Sequence, residues 1–489
     1  MSRPRRLADV DFAAVIAADP LLSKLAARAG DLPGRILLVG GAPRDLFLRR
    51  VPRDLDFILA APLNAAERFL EDFRSGLEGR LLTFDRQGVR ERRLVAGTQE
   101  LDFVLVEPEG LEKEIRRRDF TLNALTVELP DGSLHDPCGG LADLGAGLLR
   151  QVTPIAFRED PLRTLRAVRL LAEGVAWRLE PGTRRQLERA APGLAACAGE
   201  RIAVEMDRLA ASSHFAASLA LMQRWGLLAA VAPEAAALTG VTQNEYHHLD
   251  CWRHTLAAVA HTDRLASLAA PLADEGVKPL TLPAGEDQLV LKYAVLCHDM
   301  GKPATRSTGS DGRVHFYEHE KVSVQRLGDM AARWHFSRRR TRRISDLVRH
   351  HLRPGALCPG ATGKAMRRLI HAAGPDLDLL LLLSLADNDA TRGIHHPARQ
   401  ADLEVFCRRL RLVAEKAGEE LIAPRPLLNG HAIMRITGLA AGPRLGSVVS
   451  GLLRLQVEGE VTTRRQAETA VRRLAGLREE DDSRDPADA

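Results

Sequence analysis

Aromatic side chains are scarce in this 489-residue chain, at 4% Phe, Trp and Tyr. That excludes a fold held mainly by aromatic cross-strand pairs. Cysteine is sparse as well. The six thiols, at 138, 197, 251, 297, 358 and 407, form no Cys-x-x-Cys pair. A disulfide framework and a Cys-ligated zinc site are set aside, and a reducing, cytoplasmic setting is expected. Long apolar runs are missing. The richest stretch, 379–386, has eight residues, against the roughly 18 that a membrane-spanning helix needs. No membrane partner is expected. No continuous apolar region follows the basic residues at 3–6, so no secretory signal is expected either. Lysine is nearly absent, at eight of 69 cations.

What is present describes a folded protein. Hydrophobic residues make up 45% and charged residues 27%, an ordinary balance. The length corresponds to roughly two to four domains. Abundant Ala, Leu and Arg favour helices. The net charge of +5 allows phosphate contact through arginine. A GC-rich genome produces the same arginine bias, so charge alone does not identify a nucleic-acid binder.

Residues 5–30 read as one helix. Short apolar runs at 35–40 (RILLVG), 55–60 (LDFILA) and 101–106 (LDFVLV) read as buried strands, and 122–129 contains a fourth. A helical pattern fills 61–78. After 158 no further strand is expected. A Pro/Gly-containing loop covers 270–287, a break comes near 422–430, and 479–489 is an acidic, disordered tail. The expected division is an N-terminal helical segment (1–35), an α/β head (36–155), a helical neck (156–240), a helical body (241–400), a helical tail (401–478) and the acidic end.

The head carries the first chemistry. Gly40 and Gly41, then Pro43 and Arg44, follow the first strand, and Asp54 and Asp56 open the second. Paired glycines let backbone N–H groups approach a phosphate closely. Pro43 suits the first turn of a helix whose N-terminus favours the same anion. Carboxylates at i and i+2 on a strand share one face and can hold two Mg²⁺ ions beside a triphosphate. Asp102, on the third strand, is a candidate third carboxylate. Further on come Arg118-Asp119-Phe120-Thr121, then Asp136-Pro137, Gly139-Gly140 and Asp143, then Asp160-Pro161-Leu162-Arg163, with Arg166 and Arg169 beyond.

This ordered series resembles the class II tRNA nucleotidyltransferase family, the CCA-adding enzymes and their bacterial poly(A) polymerase relatives, most strongly over 36–235. The resemblance implies an α+β chain. A polymerase-beta-like nucleotidyltransferase head would be followed by an all-helical neck, body and tail. It also implies template-independent addition of nucleotides to an RNA 3′ end. Asp54 and Asp56 match the family's catalytic, metal-binding carboxylates. Gly40, Gly41 and Arg44 match its triphosphate contacts, and Arg118 matches a nucleotide contact. Asp160 and Arg163 match the pair that reads the incoming base, with Arg166 and Arg169 further along that helix. As i and i+3 on a helix, Asp160 and Arg163 would be neighbours. A carboxylate accepts from an exocyclic amino group and a guanidinium donates to a ring nitrogen or carbonyl, so G and U leave a partner unpaired. Asp before Pro is also a good helix cap. One departure stands out. Only 104–115 separates the third strand from the Arg-Arg-Asp motif, where full CCA-adding relatives carry a longer segment implicated in switching from C to A.

The body is a histidine field: 13 of 16 histidines fall between 247 and 396. His254, His298-Asp299 and Asp387 form an ordered set resembling the HD phosphohydrolase superfamily. They imply a divalent metal bound by nitrogen and oxygen ligands. His319 and His350 lie where such domains place further metal or phosphate groups. In the tail, Asn429-Gly430 and 442–446 either touch tRNA backbone or form a helix–helix connector, and in the body the basic runs 338–340 and 342–343 either grip phosphates or are solvated.

The expectation is a tRNA 3′-end nucleotidyltransferase with tRNA, CTP and ATP as partners, Mg²⁺ in the head and a second divalent metal in the HD body. The alternatives are a CC-adding enzyme, a poly(A) polymerase, an HD phosphohydrolase with an RNA-binding head, and a non-catalytic RNA-binding protein.

Overall fold

A computed structural model describes residues 9–52, 54–86, 89–97, 99–172, 177–243, 249–273, 280–358, 360–391 and 396–477. The chain divides into two compact units. The first is Met1–Glu205 with Leu221–Val231, and the second is Met206–Ala220 with Ala232–Ala489.

The first unit is built on a mixed sheet of seven strands: β1 (Arg35–Val39), β2 (Leu55–Ala60), β3 (Arg80–Arg86), β4 (Val89–Ala96), β5 (Gln99–Val106), β6 (Thr126–Leu129) and β7 (Leu134–His135). Their spatial order is β3-β4-β5-β2-β1-β6-β7. Only β2 and β5 pair in parallel. The central strands are apolar almost throughout, with 36–39 and 57–60 all buried, as strands covered on both faces must be. Phe57 stacks on Phe103 across β2 and β5, with centroids 5.1 Å apart. The helix Leu63–Ser75 buries Ala66, Phe69, Leu70 and Phe73. That spacing of i, i+3, i+4 and i+7 turns one stripe toward the sheet.

Three sequence expectations change here. The single helix over 5–30 is two helices, Phe12–Ala18 and Pro20–Ala27. Asp19 separates them by accepting from the amides of Leu21 and Leu22, and Pro20 cannot continue the first helix. The hairpin of β3 and β4 was not expected, because arginine masks its alternation. Arg92, for example, is buried by pairing with Glu67 and Asp85. Strand ladders of two residues also occur after 158, joining Leu148–Leu149 to Arg178–Leu179 and Ser307–Thr308 to Val314–His315.

The second unit is helical apart from that last ladder. Its core contains the helix Glu286–Cys297, buried continuously from Val290 to Cys297, and the helix Leu377–Ala390. Around them pack Cys251–Thr262, His319–Arg333 and Arg338–His350. Gly363–Ala390 is long and apolar enough to cross a membrane by length and composition only, and 61% of its most apolar window is buried inside the protein. Its two helices, Gly363–Ala373 and Leu377–Ala390, are separated at Gly374, where φ is +57°. The leucines at 379–383 lie inside the unit. The helices Gly430–Thr437, Pro443–Glu458 and Arg464–Leu474 share a smaller core of Ile433, Val448, Leu452 and Val471. The acidic stretch 479–489 lies outside the described residues.

Candidate active site and metal centre

In the first unit, β1 ends at Val39 opposite Asp56 on β2, and Asp56 pairs in register with Asp102 on β5. Gly40 follows at once with φ of +84°, and a Cβ on it would lie 2.5 Å from Asp56 Oδ2. Only glycine suits both the left-handed backbone and that close approach. Burial raises the Asp56 carboxyl above its ordinary value; nearby Arg118 opposes the rise, and Asp102 and Asp54 reinforce it. A divalent cation would offset the repulsion that Asp102 and Asp54 exert on Asp56. Asp54 is exposed and Asp56 half-buried. Asp102 is held by a two-pronged contact from Arg93, at 2.7 and 2.9 Å. Nothing in the sequence marked Arg93.

Arg118 Nη1 stands 4.0 Å from Asp56 Oδ2. Among the described residues, its Nε and Nη2 are buried without a hydrogen-bond partner. An arginine with free donors beside a carboxylate cluster fits an incoming phosphate. Arg44 is differently engaged. It donates to Asp45 at 2.9 and 2.7 Å and to Asn123 Oδ1 at 2.7 Å. Asn123 Nδ2 donates to Asp119 at 2.9 Å, and Asp119 pairs with Arg166 Nε at 3.1 Å. Burial pushes Asp119 up, but Arg166, Asn123 and the Phe120 amide outweigh it and hold the carboxyl below its ordinary value. Gly41 sits above this network, its notional Cβ 3.2 Å from Arg44 Nη2. Arg169 faces Glu205 at 3.8 Å.

The expected placement of Asp160 and Arg163 on one helix is corrected. Asp160 lies before the helix, which begins at Arg163, because Pro161 disfavours helical backbone in the residue it follows. Asp160 Oδ1 accepts from the Leu162 amide at 3.3 Å and Oδ2 from Arg201 at 3.0 Å. Arg163 donates instead to the carbonyls of Ala156, at 3.1 Å, and Arg117.

In the second unit, six side chains meet in two groups, His254 with His298 and Asp387, and Asp299 with His319 and His351. Within each group the ligand atoms lie no more than 4.8 Å apart. His254 Nε2 is 2.9 Å from Asp387 Oδ1. His298 Nε2 lies 3.2 Å from Asp299 and 3.5 Å from Asp387, aligned as a hydrogen bond to neither. Three rings have their tautomer set by the backbone one turn back. Nδ1 of His298, His319 and His351 donates to the carbonyls of Val295, Phe316 and Val348, at 2.7, 3.0 and 2.7 Å. With Nδ1 so engaged, each ring turns its Nε2 inward. Those of His319 and His351 face each other at 3.3 Å. Two opposed lone pairs beside carboxylates fit a bound cation.

Burial lowers the His298 imidazole, but Asp299 and Asp387 outweigh it and push it up to about 10. Burial and two neighbouring histidines take His351 down to about 3. Lys302 reaches Asp299 Oδ2 at 2.7 Å and Gln243 at 2.7 Å. A Cβ at Gly301 would collide with the His319 carbonyl, so this glycine lets the helix His319–Arg333 close on the His-Asp turn. Ser323 seals that contact, accepting from the Gly301 amide at 2.8 Å and donating to the His298 carbonyl at 2.7 Å.

His350 is not in the cluster; His351 is. The buried face of its helix runs through Ile344, Leu347 and Val348, and one further turn reaches 351. That stripe was the missed signal. Of the basic runs, Arg340 pairs with Asp207 and Glu286, and Arg343 with Asp287 and Asp376. Arg338, Arg339 and Arg342 are exposed. Asn429 caps a tail helix through the Ala432 amide, and Arg444 donates to the Ala475 carbonyl.

Residues 36–150 match the poly(A) polymerase head domain, 178–238 the probable RNA and SrmB-binding site of polymerase A, and 253–391 the HD domain. A CC-adding tRNA nucleotidyltransferase of Thermus thermophilus is 35% identical over 449 residues, covering 90% of this chain and 94% of the relative. An A-adding tRNA nucleotidyltransferase of Deinococcus radiodurans is 34% identical over 453 residues, covering 91% and 96%. A solved CCA-adding enzyme in an apo form shares the fold, with a TM-score of 0.61 at 18% identity over 96% of this chain and 97% of that one.

Proposed function

The chain belongs to the tRNA nucleotidyltransferase family with a poly(A) polymerase-type head, and from that premise we propose that it extends tRNA 3′ ends using CTP, with ATP as a poorer donor. The observation that carries this reading is the convergence of Asp54, Asp56 and Asp102 against a glycine that Asp56 itself requires. The terminal ribose hydroxyl attacks the α-phosphorus, the bond to the β-phosphate oxygen breaks, and pyrophosphate leaves. Mg²⁺ held by Asp54 and Asp56 would lower the pKa of the attacking hydroxyl and stabilise the leaving group. Arg118 would supply its free donors to the nucleotide phosphates. Arg44, Asn123, Asp119 and Arg166 would hold the floor of the site. Asp54→Ala or Asp56→Ala should abolish nucleotide addition while tRNA binding survives, since RNA affinity comes mainly from phosphate contacts elsewhere. Near-normal incorporation of labelled CMP by either variant would sink the assignment.

Relatives that add CC and relatives that add A are equally similar, so identity does not choose between them. The short segment favours C. Strand β5 runs to Val106, Pro108–Gly110 is a 3₁₀ turn, and Leu111–Arg116 is a helix. Little chain is left to act as a lever. Arg163 is tied to the Arg117 carbonyl at the end of this segment, and Asp160 to Arg201. Accepting adenine would require both to be re-aimed. Mass spectrometry of tRNA products with CTP and ATP together should show CC ends with little terminal A. Efficient completion to CCA would overturn this restriction.

The two histidine–aspartate groups support a second activity, metal-dependent phosphoester hydrolysis at RNA ends. A divalent metal held there would supply hydroxide at neutral pH and draw charge from phosphoryl oxygens. His298 and Asp299 are consecutive and belong one to each group, an arrangement suited to two adjacent ions. Lys302 would neutralise Asp299 or a substrate oxygen.

A further inference from the structure

The segment that delivers His319 to the metal centre also carries an exposed aromatic stack. Tyr317 is 71% exposed, the largest exposure of any aromatic residue among those described. Its ring lies 10° from parallel to that of His315, with centroids 5.1 Å apart. His315 is fixed from behind. It sits in the ladder of Val314–His315 with Ser307–Thr308, and a Cβ on Gly309 would lie 3.2 Å from its Nε2. Phe316, between the two, is half-buried. Its carbonyl accepts from His319 Nδ1, and Lys302 Nζ stands 5.5 Å from its ring centroid. At Glu318 the backbone enters the left-handed region, with φ of +57°. A non-glycine residue there is uncommon and strained, and such residues cluster at functional sites. The chain thus passes from an exposed ring at 317 to a buried ligand at 319 within two residues. Their Cα atoms lie within about 7.6 Å of each other.

Given the phosphohydrolase reading, we propose that Tyr317 backed by His315 is a stacking platform for the terminal base of an RNA 3′ end, placing its phosphate at the histidine–aspartate cluster. A ring with one face supported and its body in solvent suits a nucleobase of any identity, because every base has a π-face. Burial drives do not explain an exposed, preorganised ring pair. The exposed Arg306 immediately precedes the strand Ser307–Thr308 that pairs with His315.

The test compares Mn²⁺-loaded wild-type protein with Tyr317→Ala on two short RNAs, one ending in uridine 2′,3′-cyclic phosphate and one identical but lacking the terminal base. Tyr317→Ala should raise KM for the base-bearing RNA about 5- to 150-fold and leave the abasic RNA unchanged. Tyr317→Phe and Tyr317→Trp should behave like wild type. A second measurement does not depend on hydrolysis: an RNA ending in 4-thiouridine should photocross-link to Tyr317. Hydrolysis with no cross-link at Tyr317, or an equal change for both RNAs, overturns the platform. A cross-link without hydrolysis of either RNA retains the platform and retires the phosphohydrolase reading. Neither signal retires both.

Discussion

The two candidate sites hold their ligands in opposite ways. In the head, Asp54 precedes β2, Asp56 lies near its start and Asp102 within β5, all partly in solvent. Arg118 and Arg93 provide the countercharge, at 4.0 Å from Asp56 and in direct contact with Asp102. In the helical unit, His254, His298 and Asp299 are at most 1% exposed, and three rings are oriented by carbonyls of their own chain. On the proposed reading, the head suits a charged substrate that arrives with its own cations and takes over the arginines. The cluster is arranged for an ion that stays, because its donors are desolvated and aimed before anything binds. A site of the first kind loses function when a charge or a backbone contour changes. A site of the second kind loses it when a lone pair or a tautomer changes.

The sharpest test of that contrast is the double variant His298→Ala with Asp299→Ala. It removes one ligand from each group and should abolish metal-dependent hydrolysis while nucleotide addition stays near wild type. Loss of both activities in a variant with unchanged circular dichroism would show that the sites do not act separately. Gly40→Ala should follow, lowering nucleotide addition by about 100-fold. The strained backbone and the contact with Asp56 displace a carboxylate that must be placed to better than 1 Å, and hydrolysis at the cluster should be unaffected. The smallest effect is pH dependence. Protein groups alone raise His298 to about 10, so it is protonated at neutral pH and must lose its proton to ligate a metal. Its affinity for Mn²⁺ should therefore rise with pH, by about tenfold per unit between pH 6 and 8 for one proton released. His351, lowered to about 3, is neutral throughout and adds no slope. A flat profile measured by calorimetry would remove His298 from the ligand set.

Local pattern carried much of this. The apolar runs 35–40, 55–60 and 101–106 declared the central strands, because a strand covered on both faces has no polar side to hide. The order of Gly40-Gly41, Asp54 and Asp56, and Arg118-Asp119 pointed to the proposed head chemistry, and His254, His298-Asp299 and Asp387 to side chains that the structure brings together. Where arginine interrupted the pattern, the reading failed. β4 keeps Arg92 buried only because Glu67 and Asp85, from a helix and a neighbouring strand, neutralise it. No window along the chain contains that information.

The sequence by itself determined which residue types could do chemistry and roughly which elements bear them, since those depend on side-chain identity and on spacings of two or three to four residues. Tertiary structure decided which of them meet. It chose His351 over His350, because a 100° step along a helix turns one inward and the next outward. It set Asp160 against Arg201 rather than Arg163, because Pro161 breaks the helix between them. It brought Asp102 to Asp56 and Asn123 to Arg44 across 46 and 79 positions of chain. Contacts at that separation follow from sheet order and packing, which no local spacing encodes.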